Sequence, residues 1–121
     1  MTEEDDVDDR IWVLIADAGR ARILELCKPG EPPRVVEELT DESDEAKRFA
    51  RQLADRLEEA YSQARFEFLR IAAAPRFLAP LRAEIDKHLD LSRAVLDWRA
   101  LEPITLDDAQ ALQQMGPADL G

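Results

Sequence analysis

The run Ile11-Trp12-Val13-Leu14-Ile15-Ala16 limits what this chain can fold into more than any other feature. Six consecutive apolar residues, three of them β-branched, closed off by turn residues, are short for a helix and have no polar face. They predict a strand covered on both sides, which belongs at the centre of a sheet. Asp17, Ala18 and Gly19 follow, with Gly19 able to take a positive φ, so the chain is expected to turn into a second strand over residues 20–27. In that strand Ala21, Ile23 and Glu25 alternate with Arg22, Leu24 and Leu26. Residues 28–33 hold Pro29, Gly30, Pro32 and Pro33 and read as a loop. Residues 34–39 read as a third, more polar strand whose Glu37 and Glu38 suit a sheet edge.

A long amphipathic helix is predicted next. Ala46, Phe49, Ala50, Leu53, Leu57, Ala60, Tyr61 and Ala64 recur at three- and four-residue steps, opposite Arg48, Arg51, Asp55, Arg56, Glu58 and Glu59. Asp41 or Ser43 is expected to cap it, with Glu42, Asp44 and Glu45 complementing the positive end of its dipole. The charged face reads as solvated surface. A fourth strand is expected over 66–73, then a second helix starting near Pro75, with Phe77, Leu78, Leu81, Ile85 and Leu89 inward and Pro80 close to its first turns. Residues 93–98 read as a fifth strand, and Thr105 or Asp107 can cap a short last helix through Gln114.

The order strand, strand, strand, helix, strand, helix, strand, helix predicts an α/β domain. Short turns make the first three strands antiparallel, and right-handed crossovers add parallel ones. The result is a mixed five-stranded sheet of ribonuclease H-like topology, order 3-2-1-4-5, with helices on its faces. Residues 10–115 form this single domain in a chain of 121. Residues 1–9, with six carboxylates and one aliphatic side chain, read as a disordered acidic tail, and 116–121 as a frayed end.

Net charge is −11, but the tail carries so many of the acids that the folded part is only mildly acidic. That balance argues against DNA and anionic membranes as partners, and no apolar run is long enough to span a bilayer. A cytoplasmic protein is expected. One cysteine, Cys27, and one histidine, His88, give no zinc cluster and no disulfide, and no cofactor is expected. A two-metal nuclease needs converging carboxylates, yet the first strand offers only Asp17 and the fourth ends in alanines. Cys27 reads as apolar filler, His88 as a helix-end residue, and Trp12 and Trp98 as packing residues. No enzymatic activity is expected.

Topology points to one candidate site. If the first strand pairs antiparallel on one side and parallel with the fourth on the other, a crevice forms at their C-terminal ends. Asp17 and Gly19 lie on one lip, and Arg76 at the start of the second helix on the other, where free N–H groups favour an anion. Arg20 and Arg22 add charge from the hairpin. The competing reading is a structural Asp17–Arg76 pair with no ligand.

Three segments together resemble the bacterial host attachment protein family: residues 12–24 of the opening hairpin, Phe49-Ala50-Arg51-Gln52-Leu53-Ala54, and Ala74-Pro75-Arg76-Phe77-Leu78-Ala79-Pro80-Leu81-Arg82. The resemblance runs from about Arg10 to Met115 and implies kinship with the middle domain of archaeal and eukaryotic peptide-chain release factors. Two departures stand out. Family members carry a long glycine-containing insertion where this chain has only residues 40–44, and the Gly-Gly-Gln tripeptide of release factors is absent, so release activity is not implied. The expected function is a non-enzymatic, cytoplasmic host attachment-type binding module. Its partner is left open between a protein, a second copy joined through the third strand, and the ribosome or RNA, for which Arg20, Arg22, Arg76 and Arg82 are the seed of a basic face.

Overall fold

A computed structural model of the chain describes residues 10–17, 19–26, 33–41 and 45–100. Along them run β1 (Ile11–Ala16), β2 (Arg20–Glu25), β3 (Arg34–Thr40), α1 (Ala46–Ser62), β4 (Phe68–Ala73), α2 (Pro75–Ile85), α3 (Leu89–Ala94) and β5 (Val95–Ala100). The sheet order is β3-β2-β1-β4-β5, as the sequence predicts. β1 is antiparallel to β2 and parallel to β4, and β5 is parallel to β4.

β1 is buried on both faces because it has no polar face to expose. Trp12, Leu14 and Ala16 share one side with Ala21, Ile23, Leu69, Ile71 and Ala73, and join a core with Phe49, Leu53 and Leu57 of α1 and Phe77 and Leu81 of α2. Val13 and Ile15 face the other way, in register with Leu24, Arg22, Arg70 and Ala72, and are also fully buried. Trp12 stacks on Phe66 with ring centroids 4.8 Å apart and donates from Nε1 to Glu25 Oε2 at 3.3 Å. Trp98 packs half-buried against the core beneath the Arg82 guanidinium, so both tryptophans are packing residues.

Several boundaries differ from the expectation, each for a local reason. α1 starts at Ala46 with Glu45 as its N-cap, so the expected cap at Asp41 is incorrect. Asp41 still belongs to the sheet end, where its N–H donates to the Gly19 carbonyl at 3.0 Å. β4 starts at Phe68 because the preceding residues close α1: Ala64 sits at φ 60°, its N–H reaches the Tyr61 carbonyl at 2.9 Å, and Arg65 N–H reaches the Ala60 carbonyl at 3.1 Å. That is a Schellman closure with alanine where glycine is usual. Pro75 takes the first position of α2, but Pro80 lies inside the helix. Leu89, expected inward, is 62% exposed, because α2 ends at Ile85 and a turn leads into α3, which buries Leu91 and Ala94 instead. α3 also absorbs Arg93 and Ala94, which shifts the last strand to 95–100.

The acidic tail, Cys27, Ser43, the last helix and the C-terminal end lie outside the described residues. Among the described residues no helix is long and apolar enough to cross a membrane.

Candidate functional site

The switch point is present. Ala16 and Ala73 end β1 and β4 side by side, and Ala74 N–H donates to the Ala16 carbonyl at 3.1 Å. From there β1 continues toward β2 on one side, while β4 enters α2 on the other.

Asp17 closes the hairpin. Its Oδ1 accepts the N–H of Gly19 at 2.9 Å and of Arg20 at 2.8 Å, and its own N–H donates to the Arg20 carbonyl at 2.8 Å. Gly19 has the room for a side chain, since an added Cβ would meet the Asp41 carbonyl oxygen at 3.6 Å, and its φ is outside the left-handed region. The positive φ expected there is not used. Arg20 is exposed at the start of β2. Arg22 turns away from the crevice, and its Nη2 pairs with Glu38 Oε2 of β3 at 3.0 Å, which ties two strands together.

Arg76 is exposed on the first turn of α2. Among the described residues it forms no ion pair with Asp17, whose carboxylate holds the turn. The α2 N-terminus offers fewer donors than expected, because Pro75 has no N–H and those of Phe77 and Leu78 donate to the Ala74 carbonyl at 2.8 and 3.1 Å. The site thus unites Asp17, Gly19, Arg20 and Arg76 at one end of the sheet and leaves Arg22 to the β2–β3 pair.

The same end holds residues whose sequence pattern alone reads as solvated surface. β3 runs parallel to β1, so Thr40, opposite Arg20, brings the chain to this end just before α1 begins. Lys47, Arg48 and Arg51 lie on the first turns of α1 and are exposed. Phe49 and Phe77, with ring centroids 5.8 Å apart, pin the starts of α1 and α2 together. No sequence signal singled these residues out, since Arg-Phe occurs three times and Arg65-Phe66 lies at the other end of the sheet.

The remaining charged clusters are structural. Asp97 accepts Arg70 Nε and Nη2 at 3.0 Å each, and Arg99 Nε at 3.1 Å. Burial pushes its pKa up, but the hydrogen bonds from Arg70 and Arg99 outweigh burial and hold it below the ordinary aspartate value. His88 stands at a helix end, just after α2 and at the N-cap of α3, and lies 3.4 Å from Asp55 Oδ1 and 3.6 Å from Glu58 Oε2 of α1. A recess of about 470 Å³, lined by Tyr61, Ala64, Phe66, Glu67 and Phe68, lies at the opposite end of the sheet from the switch point.

Comparison with known proteins adds a partial family match and a fold likeness. No curated protein matches the sequence. Among solved structures, Dom34 of S. cerevisiae, described as a translation termination-like factor involved in RNA quality control pathways and interacting with Hbs1, superposes with a TM-score of 0.61 at 8% identity over 86% of this chain. The chain spans 32% of that protein, and the likeness is one of fold. RuvC of Thermus thermophilus matches with a TM-score of 0.47 at 12% identity, covering 74% of this chain and 61% of RuvC. Residues 40–97 match the family described as "Protein required for attachment to host cells". That stretch runs from the end of β3 into β5, and over it the sequence is similar to the host attachment family, while the fold of the chain is similar to that of Dom34.

Proposed function

We propose that this domain is a non-catalytic, cytoplasmic binding module that takes an anionic partner at the end of the sheet where β1 and β4 finish. The observation that carries the reading is the division of labour between Asp17 and Arg76. Asp17 is held by two turn N–H groups, while Arg76 stands exposed on the other lip with no ion pair among the described residues. A guanidinium in this position supplies charge and a fork of donors for a carboxylate or phosphate. Asp97, largely buried on β5, is held by two guanidiniums and is poorly placed to act as a base. The fold likeness is to Dom34, whose description includes both RNA quality control and interaction with Hbs1, so it accords with RNA, the ribosome or a protein as the partner, and the choice among them rests on the exposed cations. Self-association through β3 is the weaker reading, since Arg34, Glu37 and Glu38 of that strand pair with Glu25, Arg56 and Arg22 of the same chain.

Titration calorimetry with inorganic phosphate and nucleotides tests the reading. Heat with the wild type that disappears in Arg76→Ala, with the fold intact by circular dichroism, supports it. No heat with any of these anions removes it.

A further inference from the structure

We propose that this end of the domain binds the phosphodiester backbone of single-stranded RNA through Arg20, Lys47, Arg48, Arg51 and Arg76. The inference rests on the anion-binding function proposed for the switch point, and it names the class of anion.

All five side chains are exposed, and among the described residues none makes an ion pair. Elsewhere all but two of the described basic residues are engaged. Arg22, Arg34, Arg56, Arg70, Lys87 and Arg99 pair with carboxylates, and Arg65 and Arg82 lie over Trp12 and Trp98 at 5.1 and 5.3 Å. Among the described residues only Arg10 and Arg93 share the unpaired state, and they lie toward the other end, beside the starts of β1 and β5. Among the described residues, five of the seven unpaired cations therefore lie at one end.

Topology does the gathering. Arg20 opens β2 opposite Thr40, Asp41 N–H bonds the Gly19 carbonyl, and α1 begins a few residues later. α2 begins beside the end of β1, and the Phe49–Phe77 contact sets the two helix starts against each other. Neither helix has an acid in its first turn, and each has a basic residue at its second position, Lys47 and Arg76. A helix N-terminus repels cations; at α1 the N-cap Glu45 offsets this, whereas at α2 the N-cap is Ala74 and no acid does. At the start of α2, where Arg76 has no such acid beside it, a bound polyanion would offset the repulsion. Described carboxylates near these cations include Asp17, held in its turn, Asp41, Glu45 and, one helical turn after Arg51, Asp55, which lies 3.4 Å from His88.

Four of the five cations are arginines, whose planar forks match phosphate oxygens. They stand on three elements, and the flanks of α1 and α2 are packed against each other and the sheet, so neither helix is available to enter a duplex groove. A flexible single strand can bring successive phosphates to all three elements, and contacts of this kind read no base sequence.

The test is fluorescence anisotropy of the full chain with a labelled oligouridylate of about 20 nucleotides, a length that spans a site of this kind. If all five cations meet phosphates, affinity falls about 100-fold between 50 and 200 mM salt, from a slope of about 0.7 per contact. Arg48→Gln/Arg76→Gln is expected to bind about tenfold more weakly at 50 mM and to lower the salt slope by about 1.4. Arg10→Gln/Arg93→Gln, with the same change in charge at equally unpaired sites, should bind like the wild type. No RNA binding at 50 mM, equal losses in the two double variants, or polyglutamate bound as tightly as RNA each overturn the proposal. Arg76-dependent heat with phosphate but no RNA binding removes this proposal and leaves the anion-binding reading; absence of both removes both.

Discussion

Phe49 and Phe77 stand with ring centroids 5.8 Å apart and planes inclined by 31°, and each follows an arginine that stays exposed. One contact therefore joins the core to the surface at which binding is proposed. Both rings are fully buried, so Phe49→Ala and Phe77→Ala should each destabilise by about 3–5 kcal/mol through lost transfer energy and a cavity. Because the rings touch, the double variant should cost less than the sum of the singles, by about 0.5–1.5 kcal/mol. Additive losses in urea unfolding would show that the rings act independently.

Ala64 is the one non-glycine residue with positive φ among those described, at the closure of α1. A left-handed alanine costs roughly 1–2 kcal/mol, which glycine avoids at some entropic expense in the unfolded chain. Ala64→Gly should raise stability by about 0.5–1 kcal/mol, seen as a higher urea midpoint. A lower midpoint would contradict the Schellman geometry.

The hairpin separates two residues that look equally important in the sequence. Gly19→Ala should change stability by less than about 1 kcal/mol, because the new methyl meets the Asp41 oxygen at ordinary contact distance. Asp17→Ala removes the acceptor for two N–H groups and should cost about 1–3 kcal/mol. Thermal melts of both variants decide the matter, and a reversed order would place the constraint in the glycine.

Asp97 gives the protein an acid limb. Its folded pKa is depressed, so its contribution is complete above the unfolded value of about 3.9 and is lost as pH falls through the folded one. Asp97→Asn removes the charge opposite the buried Arg70 and should cost about 3–5 kcal/mol at about pH 7. The gap between variant and wild type should narrow as urea unfolding is repeated toward about pH 3. A gap that stays constant would mean that Asp97 does not titrate in this range.

The sheet order was legible because β1 has no polar face and β3 has many charges, which sets centre and edge before any contact is known. Helix boundaries were less so. The acids and hydroxyls around 40–45 offer several caps, and only the Asp41–Gly19 bond shows that the ladder outlasts β3. Leu89 fits the apolar period of α2, yet the chain has already turned at 86–88. The switch point and its Asp17 and Arg76 lips followed from topology, whereas the contributions of Lys47, Arg48 and Arg51 did not. Their meaning depends on α1 and α2 starting at the same end, which no local pattern encodes.

Amide chemical shifts during a phosphate titration test the central claim, that the domain binds anions where β1 and β4 end. Gly19, Arg20, Lys47, Arg48, Arg76 and Phe77 should shift together along one saturating curve, and those shifts should vanish in Arg76→Ala. Shifts centred instead on residues 61–68 at the opposite end, or no saturable shifts at all, would contradict it.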